Sequence, residues 1–270
     1  MKLSFSTLGC PYLSVEQIID VAKKNGFGGI EIRVLDGKKD LTEVDVLKPN
    51  AIHETRKKFE DSGIEIICIN SGVSYANADS AEREQQTVQG KDYIDIAAGL
   101  GSKYVRVFGG KINKFENREE VMQWILSGFT ELAEYGRKKG VTLLLETHDD
   151  FSRGDDCRKL LERLPEDSIY VIWDILHSYR CGETFEETWN QIGKYVKHVH
   201  IKDSANFSKQ GFDITLVGEG NLPVEKAVKL LRTKGYKGYY SFEWEKMWHP
   251  EIPEWEFSFP HYVLSMKTFQ

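Results

Sequence analysis

Cysteine is scarce in this 270-residue chain, and the four present, Cys10, Cys68, Cys157 and Cys181, show no CxxC spacing. That excludes a disulfide framework and a thiolate metal site read from spacing. Cys10 and Cys68 fall in or beside strand-like segments, where a buried reduced thiol is expected. Long apolar runs are missing too. Nothing approaches the roughly 20 residues that span a bilayer, so no membrane partner is expected. A basic excess is also absent: 36 Lys and Arg against 42 Asp and Glu leave a formal charge of −6. A nucleic-acid surface needs a basic patch, so no nucleic-acid partner is expected. The opening "MKLSFSTLGC" carries one lysine and scattered apolar residues, unlike a secretory signal, and a cytoplasmic location is the expectation.

What is present is a rhythm. Hydrophobic residues make up 40% and charged residues 29%, as in ordinary globular proteins. Eight β-branched or aromatic runs recur: "KLSFST", "GGIEIRV", "IEIICIN", "KYVRVFG", "VTLLLETH", "SIYVIWD", "KHVHIKD" and "GYYSFEWE". Amphipathic segments lie between them. "SVEQIIDVAKKNG" opens with Ser14 and Gln17 in capping-box spacing and closes on Gly26. "PVEKAVKLLRTKG" starts at Pro223, where a missing N–H does no harm.

Strands alternating with helices imply parallel pairing and right-handed crossovers. Eight such units predict an α/β chain folded as a single (β/α)8 TIM barrel, with residues 1–270 as one domain. The competing doubly wound sheet lacks its GxGxxG turn after the first strand. The longest irregular piece is expected between about residues 204 and 222.

Active sites of such barrels lie at the C-terminal ends of the strands. Four successive strands end in ionisable groups there. Strand five brings Glu146 and His148, and strand six brings Asp174 with His177 three residues on. The seventh brings His200, Lys202 and Asp203, and the eighth Glu243 and Glu245. Carboxylates converging without a cation would repel and resist ionisation. A divalent ion relieves this. Three carboxylates and one imidazole make a mostly oxygen donor set, which suits Mn²⁺ or Mg²⁺, with Co²⁺ or Zn²⁺ also admissible.

These segments carry a resemblance. "GIEIR", "VRVFGG", "LETH", "WDILH", "HVHIKD" and "SFEWE", in this order and at barrel spacing, resemble the xylose-isomerase-like barrel superfamily, among its sugar and sugar-phosphate isomerases and epimerases. The resemblance implies that Glu146, Asp174, His200 and Glu243 bind one divalent metal, and that Glu146 and Glu243 serve as acid and base. His177 matches a substrate-contacting histidine. His148, Lys202 and Asp203 are expected beside it as substrate-binding residues. Two positions depart from the ketose 3-epimerase pattern. Asn206 stands where those enzymes carry an arginine, and Ser152 where they carry a glutamate.

The expected function is therefore metal-dependent proton transfer next to a carbonyl through a cis-enediolate, on a small carbohydrate. The alternative is a lyase or dehydratase acting on a keto-sugar, keto-inositol or oxidised glycoside with the same residues. An endonuclease would need more strand-end histidines and a basic mouth. A homo-oligomer is left open. Glu31 and Arg106 are expected to form an ion pair below the site, and His198 to pack in the barrel interior. Phe108, Trp244 and Trp248 are candidates for an apolar face to a sugar ring. The aromatic tail "MWHPEIPEWEFSFPHYVL" is expected to cover the barrel mouth or a subunit contact.

Overall fold

The computed structural model describes residues 1–269. All eight expected strands form, and they close into one parallel barrel. In chain order they are β1 (Lys2–Ser6), β2 (Gly29–Ile32), β3 (Glu65–Ser74), β4 (Tyr104–Phe108), β5 (Thr142–Glu146), β6 (Ile169–Asp174) and β7 (Val196–Ile201), with β10 (Tyr239–Phe242) closing onto β1. The two remaining strands, β8 (Asp203–Phe207) and β9 (Phe212–Thr215), form a separate antiparallel hairpin directly after β7. This hairpin lies within the segment expected to be irregular. Its sequence "DSANFSKQGFDIT" has too little apolar alternation to announce strands.

Local chemistry fixes the connecting helices. Ser14 accepts from the Gln17 N–H while Gln17 accepts from the Ser14 N–H at 2.9 Å, completing the capping box. That helix, Val15–Asn25, ends at Gly26 with φ 78°, a left-handed turn that glycine enters without a Cβ clash. Helix Val224–Thr233 begins directly after Pro223.

The main apolar core lies between the strands and the helices around them. A smaller cluster of Ile67, Cys68, Leu144 and Ile172 is separate from it. Along β5, β6 and β7, side chains alternate, so Leu144, Ile172 and His198 share their strand faces with Glu146, Asp174 and His200 two residues on. Register holds the polar ends level: Asp174 pairs with His200 across β6 and β7, and His200 with Ser241 across β7 and β10.

The aromatic tail divides into two parts. The Met247 N–H donates to the Leu8 carbonyl, and the Trp248 ring lies against Arg33 and Lys39, with Lys39 Nζ 4.5 Å from its centroid. The following helix, Trp255–Thr268, packs on the barrel flank, where Tyr262 stacks on Phe242 with centroids 4.5 Å apart. Trp244 is fully buried and donates to the Pro253 carbonyl, so it belongs to this flank rather than to a sugar face.

Helix Arg118–Lys139 approaches the barrel closely at Gly128, where a Cβ would stand 2.4 Å from two ring atoms of the buried Tyr75. Gly128→Ala is expected to destabilise the fold by about 1–3 kcal/mol in urea unfolding. Gly72→Ala, where a Cβ meets nothing within 4 Å, should stay within about 0.5 kcal/mol of the parent.

Candidate active site

The ionisable strand ends meet in a dry centre. Glu31, Arg106, Glu146, Asp174, His198, His200, Lys202 and Glu243 are all buried. One donor atom from each of Glu146, Asp174, His200 and Glu243 lies within 4.8 Å of the others, so the expected four-residue set converges.

Two permanent cations organise the carboxylates. Arg106, anchored through Nε and Nη2 to the Ser71 carbonyl, reaches Glu146 Oε2 at 2.9 Å and Glu243 Oε1 at 3.6 Å. Lys202 Nζ lies 2.6 Å from Glu243 Oε2, 2.6 Å from Glu245 Oε1 and 2.9 Å from Asp174 Oδ2. The expected ion pair between Glu31 and Arg106 does not form. Arg106 is drawn to the strand ends by the two glutamates, and Glu31 is already saturated. Its oxygens meet His198 Nε2 at 2.9 Å, His200 Nε2 at 3.0 Å, Asn70 Nδ2 at 2.9 Å and the Ser241 hydroxyl. His198 is thus an interior residue, as its place one inward step below His200 suggests.

His200 is held between two layers. With Nε2 on Glu31, its Nδ1 faces Glu146 Oε1 and Glu243 Oε2, each 3.4 Å away. Burial disfavours the imidazolium, but the Glu243, Glu31 and Glu146 charges outweigh it and hold His200 well above the usual histidine range. Lys202 behaves likewise: burial opposes its charge, and Asp174, Glu243 and Glu245 prevail. Burial, only partly opposed by Lys202, pushes the Asp174 carboxyl up to about 6.

Asp174 has two tasks. Oδ1 accepts the N–H groups of Leu176 and His177, capping helix Ile175–Arg180, while Oδ2 faces the Lys202 ammonium. His200 Nδ1 is buried, with only its two 3.4 Å approaches to the glutamates. Around them five carboxylates, Glu31, Glu146, Asp174, Glu243 and Glu245, face the two fixed cations Arg106 and Lys202. The convergence of four donor atoms, an oxygen-rich set and surplus negative charge suit a divalent cation bound through Glu146, Asp174, His200 and Glu243.

Around this centre lies a ring of aromatic and imidazole groups. His177 is buried, and its ring centroid is 4.4 Å from that of His148, which in turn is 4.8 Å from Phe108. Burial, then the nearby His148, Lys202 and Arg180 charges, hold His177 well below the usual histidine range, so it is neutral. His148 Nδ1 is 3.0 Å from Asp149 Oδ2, and Asp149 takes a left-handed φ of 49°. Phe212 of the hairpin covers the other side, 5.6 Å from both His177 and Lys202 Nζ.

Asp203 stands apart from the expectation of a substrate contact. Its two oxygens accept the backbone N–H groups of Ser204, Gly218, Gly220 and Leu222, so it shapes the loop after the hairpin. The two departures from the epimerase pattern also point elsewhere. Asn206 is exposed and donates to Asp213, while the Ser152 hydroxyl donates to the Asp149 carbonyl. Residues that sequence reasoning left out of the site are Glu31 as the anchor of His200, Arg106 as the clamp on both glutamates, Arg180 and Phe212. For Arg180 a signal existed: it lies one helical turn beyond His177.

The family model described as the xylose isomerase-like TIM barrel matches residues 19–260. An inosose isomerase from Halalkalibacterium halodurans is 23% identical over 236 residues, covering 83% of this chain and 80% of its own length. Among solved structures, a probable 3-DHS dehydratase, AsbF, from Bacillus anthracis superposes with a TM-score of 0.82 at 16% identity, covering 99% of each chain. The IOLI protein with a bound zinc atom superposes with a TM-score of 0.81 at 20% identity, covering 100% of this chain and 96% of that one.

Because Asp203 is spent on backbone N–H groups, Asp203→Ala should cost about 1–3 kcal/mol of stability. Amide exchange should accelerate at Gly218, Gly220 and Leu222. Unchanged exchange at those three amides would remove the loop-shaping role.

Proposed function

The chain belongs to the xylose isomerase-like TIM barrel family, and on that premise we propose that it is a divalent-metal-dependent isomerase or epimerase acting on a small sugar or sugar phosphate. One observation carries this reading: Glu146 and Glu243 flank His200 Nδ1 at equal distances of 3.4 Å, in a buried donor set that suits a cation. A divalent ion bound by Glu146, Asp174, His200 and Glu243 would supply Lewis-acid polarisation of a substrate carbonyl. Mn²⁺ fits the three-carboxylate, one-imidazole set best, and the zinc in the IOLI structure supports a metal in this kind of barrel.

The proton chemistry falls to the chain's own side chains. One of Glu146 and Glu243 takes a proton from the carbon beside the carbonyl, and the other returns one to the opposite face or the neighbouring carbon. Neighbouring cations keep both carboxylates ionised: burial and mutual repulsion push Glu146 up, and Arg106 and His200 outweigh them, while burial of Glu243 is outweighed chiefly by His200 and Lys202. A carboxylate that stays charged is ready to accept a proton. Lys202 and the neutral His177 line the same space and can donate to substrate oxygens as negative charge develops there. His148 and Phe108 stand beside His177 and offer a polar edge and an apolar face to the ring.

A second reading is a dehydratase on a keto-sugar or keto-inositol. After the same deprotonation, the hydroxyl on the next carbon would leave with a proton. The glutamate that took the carbon proton can return it to that hydroxyl, and Lys202, held by Glu245 as well as Glu243, is placed to hydrogen-bond the departing oxygen. The placement of Asn206 and Ser152 away from the centre favours a reaction other than simple ketose 3-epimerisation, and one superposable barrel is a probable dehydratase.

Two measurements check this. Metal-stripped protein should take up one Mn²⁺ per chain by calorimetry, His200→Ala should lose it, and Glu31→Gln should weaken it by about 10- to 100-fold. In deuterated water, the Mn²⁺-loaded protein should place deuterium beside the carbonyl of a ketose, keto-sugar or keto-inositol from a panel. Glu146→Gln and Glu243→Gln should slow that exchange by at least about 100-fold. Deuterium in recovered substrate or its epimer supports the first reading, and loss of water supports the second. Absence of Mn²⁺ uptake by the parent protein would refute the metal site.

A further inference from the structure

Arg180 is the charged group beside the site that the proton chemistry leaves unused. It ends helix Ile175–Arg180, one turn after His177. Its Nε donates to His177 Nδ1 at 3.1 Å. Its Nη1 donates to the Ser208 and Lys209 carbonyls, at 3.0 and 3.1 Å, at the turn between β8 and β9. The guanidinium carbon lies 5.5 Å from the Phe212 ring centroid, and that ring covers His177. One side chain thus touches the imidazole, the hairpin turn and the aromatic cover.

A guanidinium can only donate, so His177 Nδ1 must accept. A neutral imidazole with Nδ1 accepting carries its proton on Nε2. That nitrogen is buried, lacks a hydrogen-bond partner and lies 3.8 Å from Asp174 Oδ2, at the edge of the metal-ligand set. It is a donor without an acceptor.

We propose that Arg180 is a positioning residue that fixes His177 as an Nε2–H donor toward a substrate oxygen and latches the β8–β9 hairpin over it. Orientation of the donor and closure of the hairpin are then one state, since the same guanidinium makes both sets of bonds. Delivery of that hydrogen bond to a sugar oxygen rests on the proposed function; the tautomer and the latch do not. The assignment also bears on the Glu146, His148 and His177 group, whose donor atoms are close enough to hold a second cation. With Nδ1 engaged by Arg180 and Nε2 protonated, His177 has no free lone pair for a metal.

The test uses the full-length ¹⁵N-labelled protein without metal or substrate, so failure of the sugar chemistry leaves its result unaffected. Long-range ¹H–¹⁵N spectra at pH 8, with His177→Gln to assign the signals, should show His177 as a single tautomer protonated on Nε2. A proton on Nδ1 in the parent protein would overturn the proposal without recourse to any Arg180 variant. In Arg180→Met the tautomers should mix, and amide exchange across residues 206–212 should accelerate at least tenfold. Arg180→Lys keeps the charge but not the three directed bonds, and should behave like the methionine variant. Full rescue by lysine, or a tautomer and hairpin exchange unchanged in Arg180→Met, would refute the latch.

Discussion

Four carboxylates buried in one barrel centre, Glu31, Glu146, Asp174 and Glu243, with the partly exposed Glu245 at its edge, are the constraint on which the rest of this structure depends. An unpaired buried carboxylate is prohibitively unfavourable, so each must be matched by a cation or by directed donors. Arg106 matches Glu146 and reaches Glu243; Lys202 bridges Asp174, Glu243 and Glu245; two histidines, Asn70 and Ser241 enclose Glu31. The compensation is uneven by design of position. Glu31 is closed off on every side, whereas Asp174 Oδ2 meets only the Lys202 ammonium and His200 Nδ1 only two glutamate oxygens at 3.4 Å, and these two atoms face the place where a divalent ion suits the charge.

That arrangement joins folding to chemistry through single residues. Asp174 ends β6, caps the next helix with one oxygen and presents the other to the centre. Removing its carboxylate would therefore disturb a helix start and a donor set together. His200 is similarly braced, with Glu31 below it fixing the ring while the opposite nitrogen faces the glutamates. Bracing of this kind orients the ring, and with Nε2–H held by Glu31 it is Nδ1 that would give up its proton to an ion.

The rim differs in character from the centre. The centre is built on barrel strands whose register is set by the backbone ladder, so its geometry is rigid. Above it, the hairpin β8–β9 is held by fewer and more local bonds, chiefly the backbone contacts from Arg180 and the Asp203 cradle beneath the following loop. Phe212, His148, His177 and Phe108 form this rim through successive ring contacts. Glu146 and Glu243 belong to the centre. Under the proposed function one centre would serve epimerisation or elimination, the outcome set by which substrate oxygen the rim places beside a donor.

By itself the sequence determined the barrel, because alternation of β-branched runs with amphipathic, glycine-ended helices leaves few other topologies once parallel crossovers are required. It also determined the ionisable strand ends, since a side chain's face follows from period two along each strand: Glu146, Asp174, His200 and Glu243 stand at matching strand ends and were legible there. Only the tertiary structure decided the partners. Arg106 binds the glutamates instead of Glu31, Asp203 gathers four backbone N–H groups, and Arg180 joins His177 to a hairpin about thirty residues away. Spacing along a strand states which way a side chain points. Which charge it meets depends on neighbours brought together by barrel closure, and on which competing partner has already been satisfied.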